Sequence, residues 1–121
     1  MMFQVMPQKR YENEKDGVIA VQSSTGNHNG TSVDAVAAAS GKITMVVWLV
    51  AQSVTALSQL SFFSGAGTTI LFDAYPPLGT SAPLILPPSD IGYFQTTVGE
   101  KLQATAAGNN VWTIGYITYT P

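Results

Sequence analysis

The side chains that could do chemistry are few and far apart. There is one histidine, His28, and no cysteine. His28 sits in SSTGNHNGTS, a Ser/Thr/Gly/Asn cluster with no second imidazole or thiolate near it, so neither a metal set nor a nucleophile with its base can be assembled around it. The carboxylates available for acid–base work are Asp34, Asp73, Asp90 and Glu100, each alone in its stretch. A glycosidase-type pair would have to come from two of these brought together by the fold. Asp73 lies inside an apolar run and reads as an outward-facing strand residue. Glu100 is followed by Lys101 and reads as a solvated pair at a strand start. Gly65-Ala66-Gly67 is a turn, since no GxGxxG or GxxxxGK[ST] surrounds it. No cofactor is expected, and the chain reads as a non-enzyme.

The elements that must position any site are strands. Apolar and β-branched residues recur in short runs broken by Gly, Pro, Ser and Asn. Gly17–Ser23 reads as a first strand and Ser24–Ser32 as a loop. Val33–Ala39 is either a helical turn or an extended lead-in. Lys42–Gln52, KITMVVWLVAQ, is the firmest strand, with Ile43, Met45, Val47, Leu49 and Ala51 on one face and Thr44, Val46, Trp48, Val50 and Gln52 on the other. Thr55–Ser64, Thr68–Tyr75, Ala82–Leu86 and Gly92–Val98 follow. Prolines at both ends of the Ala82–Leu86 piece suit an edge. The last stretch reads as a hairpin: Glu100–Ala106, a Gly108-Asn109-Asn110 turn, then Val111–Thr120. In that arm Trp112, Ile114 and Tyr116 share one face, and Val111, Thr113, Gly115, Ile117 and Tyr119 the other. Both faces carry apolar groups, which places the arm centrally in a sheet or sets its outer face against another chain.

About eight short strands at this spacing predict an all-β protein, an antiparallel jelly-roll-like β-sandwich. Residues 17–121 would form it, preceded by an extended N-terminal arm over residues 1–16. Composition adds a second signal. Apolar residues make up 45% of the chain and charged residues only 10%, against about 25% in an ordinary soluble domain. Six of the charges, Lys9, Arg10, Glu12, Glu14, Lys15 and Asp16, fall in the arm. The remainder is covered either by a Ser/Thr/Asn/Gln surface or by other subunits. A net charge of −2 without a basic stripe argues against nucleic acid. The opening residues place apolar before charged side chains, the reverse of a secretory signal. The longest apolar run, Ile43–Ala51, is far short of the ~20 residues of a membrane helix. Exposed Tyr or Trp on a sandwich could stack on sugars, so a tail-tip or carbohydrate-binding module is the alternative function.

From Lys42 to Tyr119 the chain resembles small virion proteins of tailed bacteriophages. The resemblance rests on short pieces: Gly41-Lys42-Ile43, Phe62-Phe63-Ser64-Gly65, Leu86-Pro87, the box Phe94-Gln95-Thr96-Thr97-Val98-Gly99-Glu100-Lys101-Leu102, and Gly115-Tyr116-Ile117-Thr118-Tyr119. It implies a capsid decoration (cement) protein on the phage head surface, made in the host cytoplasm. Such a protein sits as a homotrimer on the shell of the major capsid protein, without membrane or nucleic acid partners. A trimer would bury a strand face, for which Val46, Trp48, Val50, Ile117 and Tyr119 are the candidates. Phe3, Val5, Met6, Lys9 and Arg10 of the arm are then candidates for capsid contacts.

Overall fold

The computed structural model describes residues 21–66, 69–79 and 82–121. They form the strands β1 (Gln22–Asn29), β2 (Ser32–Val36), β3 (Ile43–Ser53), β4 (Leu60–Ser64), β5 (Thr69–Ala74), β6 (Leu84–Leu86), β7 (Phe94–Gln95), β8 (Leu102–Ala106) and β9 (Asn109–Tyr119). One sheet has the order β1-β9-β3-β6, with the short β7 also on β3; the other has the order β2-β8-β4-β5. Every ladder between these strands is antiparallel. With β7 set aside, this is the strand order of a jelly roll, as the spacing of the apolar runs predicts.

The closing hairpin does not form. β8 pairs with β2 and β4, whereas β9 pairs with β1 and β3, so Ala107-Gly108 is a corner that carries the chain from one sheet to the other. Both edges of β8 are taken, and its alternate residues Leu102, Ala104 and Ala106 are fully buried. Gly108 is required there for space, since a Cβ would lie 2.7 Å from that of Ser58.

β1 is the other departure. It runs through most of the stretch that reads as a loop, pairing Gln22 with Tyr116 through Asn29 with Asn109. Of the expected Gly17–Ser23 strand, only Gln22 and Ser23 belong to β1, and residues 17–20 lie outside the described residues. β1 is a polar edge strand, so it shows no apolar alternation. Its inward positions are used by Gly26 and His28, which lie beside Trp112. The Val33–Ala39 ambiguity resolves to an extended strand, β2. The strand expected over Thr55–Ser64 narrows to Leu60–Ser64, and that over Gly92–Val98 to Phe94–Gln95. β6 is an edge strand, as its flanking prolines imply.

The core lies between the sheets. Val46, Leu49 and Ala51 of β3 and Trp112 and Ile114 of β9 face Leu60 and Phe62 of β4 and the buried residues of β8. Phe62 meets Trp112 edge-on at 5.4 Å and Phe94 at 5.6 Å, and Phe94 stacks on Phe72 at 5.3 Å. Trp112 carries a polar N–H into this core. It donates to Nε2 of His28 at 2.8 Å. His28 Nδ1 lies 2.9 Å from the Thr31 carbonyl, which can only accept, so Nδ1 carries the proton and Nε2 is free to accept. The lone histidine is therefore bound into the structure at both ring nitrogens.

A Cβ on Gly26 would fall inside van der Waals contact of the Trp112 ring. Gly26→Ala is expected to lower unfolding free energy by about 1–3 kcal/mol through overpacking. Gly41 has φ of 72° with open space around its Cβ position. Gly41→Ala should cost only the left-handed strain, roughly 1–2 kcal/mol. Urea denaturation of the two variants, with near-UV circular dichroism reporting Trp112 packing, separates the effects: only Gly26→Ala should perturb the aromatic signal.

Candidate functional site

The outer face of the β1-β9-β3-β6 sheet is where the two-faced apolar strands matter. A bulge between Val46 and Trp48 interrupts the β3–β9 ladder, and Trp48 comes to lie opposite Gly115. The extra residue resets the alternation. Before the bulge, Val46 points into the inter-sheet core; after it, Leu49 and Ala51 do. Ile43, Met45, Val47, Ile117 and Tyr119 form a second apolar cluster, with Trp48 packed against it. Gly115 makes room for the indole, because a Cβ there would overlap the Trp48 ring.

Part of this outer cluster is covered by the chain itself. The segment 89–99 laces along the edge of β3. The amides of Ser89, Tyr93, Thr96 and Gly99 donate to the carbonyls of Val47, Val46, Thr44 and Lys42 at 2.8–2.9 Å. The Thr44 amide donates in return to Thr96 Oγ1 at 3.0 Å, and Tyr119 Oη donates to Gln95 Oε1 at 2.9 Å. Gly92, at φ of 78°, lets the segment press onto the Met45 side chain. Beside the covered part runs a groove of about 390 Å³ in which Val21, Val47, Trp48 and Ile117 face Pro88 and Asp90. Beyond it no described residue covers the sheet. Val50 and Ile85 are cross-strand partners, 38% and 56% exposed.

Placed on this geometry, the five expected interface residues separate. Trp48 and Val50 lie on the outer face and reach the surface. Val46 does not share that face, because the bulge turns it into the core, where it is fully buried. Ile117 and Tyr119 are on the outer face but are 2% and 0% exposed. Phe3, Val5, Met6, Lys9 and Arg10 lie outside the described residues. Ile85 was not singled out in the sequence; its signal was an apolar residue in the middle of a proline-bounded edge strand.

The chemistry-bearing residues are dispersed. His28 is held by Trp112 and Thr31. Asp34 pairs with Lys101 at 2.9 Å, so Lys101 does not simply pair with its neighbour Glu100. Glu100 accepts from Ser64 Oγ at 2.5 Å. Asp73 faces outward and accepts from Gln59 and Ser61. Among the described residues no group of three His, Cys, Asp or Glu could hold a metal ion, and no helix is long and apolar enough to cross a membrane.

The opposite end of the sandwich carries a second groove, also about 390 Å³, between the 54–59 loop, Tyr75 and the 107–109 corner. Beneath it Ser53 and Asn110, both fully buried, form a polar network with Ser58 and the Pro76 carbonyl.

No protein-family model matches the sequence, and no curated protein does either. Solved structures do. A chain of the cyanophage Pam1 capsid asymmetric unit is similar over 85% of each chain at 17% identity, with a TM-score of 0.50. A chain from Bacillus endospore appendages, described as a novel family of disulfide-linked pili, covers 85% of this chain and 87% of its own at 19% identity and a TM-score of 0.49. The C-terminal CBM6 of LamC, a marine laminarinase from Zobellia galactanivorans, covers 89% of this chain and 96% of its own at 12% identity and a TM-score of 0.40. At these identities the likeness concerns the fold alone. The class defined is a jelly-roll β-sandwich, with a capsid chain among the proteins that share it.

Gly92→Ala should loosen the segment covering the outer cluster, because it adds both left-handed strain and a clash with Met45. Hydrogen exchange at the amides of Tyr93, Thr96 and Gly99 is expected to accelerate, while exchange in β8 stays unchanged. Equal rates in wild type and variant would show that the segment is held by something other than this contact.

Proposed function

We propose that the chain is a non-enzymatic structural protein of a tailed-phage virion, a decoration (cement) protein that sits on the head as a homotrimer bound to the major capsid protein shell. The observation that carries this reading is the half-covered outer face. The chain shields Met45, Ile117 and Tyr119 with its own segment, yet among the described residues nothing covers the apolar strip of half-buried Trp48 and exposed Val50 and Ile85. Single exposed apolar residues are ordinary; a contiguous strip beside a groove marks a contact surface. A standard interface covers about 800 Å² per partner. The strip would supply its apolar centre, and Thr25, Gln52 and Thr113 around it a polar rim.

The likeness to a capsid chain supports a virion setting for this fold, and the sequence resemblance to small phage virion proteins supports the decoration role. Residues 17–121 form the sandwich in this reading. Residues 1–16 serve as an arm whose Phe3, Val5 and Met6 offer apolar contacts and whose Lys9 and Arg10 offer charged ones to the shell. Synthesis in the host cytoplasm precedes attachment.

Sedimentation equilibrium at micromolar concentration is expected to give three times the 12.8 kDa chain mass. The double variant Val50→Glu/Ile85→Glu, altered only at exposed positions, should keep its far-UV spectrum and sediment as a monomer. A wild-type monomer, or a double variant that remains trimeric, rejects this surface as the subunit interface. Deleting residues 1–16 should leave the trimer and weaken attachment to undecorated heads; unchanged attachment removes the arm from the reading.

A further inference from the structure

The second groove has a composition that the assembly reading does not use. Tyr75 and Leu57, on its walls, are 61% and 60% exposed. Around them stand neutral hydrogen-bonding side chains: Asn29, Thr55, Gln59 and Asn109. Among the described residues no charged one lines the groove itself; the carboxylate of Asp73 stands behind Gln59, whose Nε2 donates to it at 2.6 Å.

The groove is also built on a fixed base. Ser53 Oγ donates to the Pro76 carbonyl at 2.7 Å and accepts from the Ser58 amide at 3.1 Å. Asn110 Nδ2 donates to the Gln52 carbonyl and to Ser53 Oγ, each at 3.3 Å, and Asn110 Oδ1 accepts from Ser58 Oγ at 3.2 Å. Three backbone bonds of 2.9 Å tie the walls to this base: Ser53 N to Pro77 O, Val54 N to Asn109 O and Ala107 N to Gln59 O. Pro76 is fully buried, so the residue before it, Tyr75, stands on an anchored backbone. A ligand would meet a groove already shaped, with little loop ordering to offset.

The lining selects among ligand chemistries. An anionic ligand would lose hydration without meeting a counter-charge. A wholly apolar one would strand the amides and hydroxyls without partners. A pyranose ring satisfies both halves: its C–H face lies on an aromatic ring, and its hydroxyls exchange hydrogen bonds with amides. We propose that the groove between Leu57, Tyr75 and Asn109 is a binding site for a neutral saccharide, with Tyr75 as the stacking platform, the Asn29 and Asn109 amides reading the hydroxyls, and Gln59, its Nε2 held by Asp73, presenting Oε1 as an acceptor. On a particle surface such a site would give each copy a weak hold on a glycan, multiplied by the number of copies.

The test uses the full-length protein in its native oligomeric state. Maltohexaose, cellohexaose, mannohexaose and a β-1,3-glucan hexamer are titrated at millimolar concentrations by saturation-transfer NMR and calorimetry, with oligogalacturonate as the charged comparison. At least one neutral hexamer is expected to bind saturably and better than oligogalacturonate. Tyr75→Ala should weaken it by about tenfold, as loss of a stacking contact near 1.4 kcal/mol implies, and Tyr75→Phe should retain it. Leu57→Ala, a second exposed position, should weaken it less. Absence of binding by all four neutral sugars, stronger binding of the charged one, or unchanged affinity in Tyr75→Ala overturns the proposal. Sedimentation of the same samples reports the oligomer separately, so failure here leaves the assembly reading standing, and the reverse also holds.

Discussion

The indole of Trp112 asks for two things at once, space and an acceptor, and both sheets are arranged around that demand. Space comes from β1, where Gly26 lies under the ring, and the acceptor from His28 two residues further along the same strand. The ring's other neighbour is Phe62, from the opposite sheet. One side chain thus fixes the register of an edge strand on β9 and the contact between the layers. A buried indole N–H without a partner would cost about 1–3 kcal/mol, so the histidine is explained by packing alone. This is also why the only imidazole in the chain is not available for catalysis: both ring nitrogens are already engaged.

The outer face follows from a different constraint. A bulge in β3 adds one residue against β9, and Gly115 gives the displaced Trp48 somewhere to lie. From there the sheet divides. Toward Ile43 and Tyr119 the chain folds its own 89–99 segment over the apolar groups. Toward Val50 and Ile85 it supplies no cover among the described residues. A strand pair that is apolar on both faces therefore has two solutions within one molecule, internal shielding at one end and exposure at the other. The second is the feature on which the proposed assembly role rests.

Legibility in the sequence followed burial. β3, β4 and β5 were readable because their β-branched and aromatic runs are bounded by Gly, Pro or polar breaks, and the jelly-roll class followed from the number and spacing of such runs. β1 was not, because an edge strand with a solvated outer face and a Gly-His inner one has no apolar period to show. The hairpin expected at Gly108 failed for a topological reason: a tight turn between strand-like arms does not reveal whether the arms pair with each other or face each other across a core. The face assignment of Val46 failed for a local one. Alternation counts residues, and a bulge inserts one that no composition rule marks. Of the expected contact residues, Trp48 and Val50 lie past the bulge on the face that alternation gave them, while Val46 lies before it.

The pairing of β1 with β9 has a consequence for how the molecule comes into being. The first strand of the described fold has its ladder with the last one, and Thr25 and Trp112 are 87 positions apart where they meet. During synthesis β3, the most apolar strand, must wait for the eleven residues of β9 to emerge before its main partner exists. Closure of such distant ends is slow relative to local pairing. An incomplete chain leaves β3 open on the ribosome, so β9 must be made before the outer face of this sheet exists.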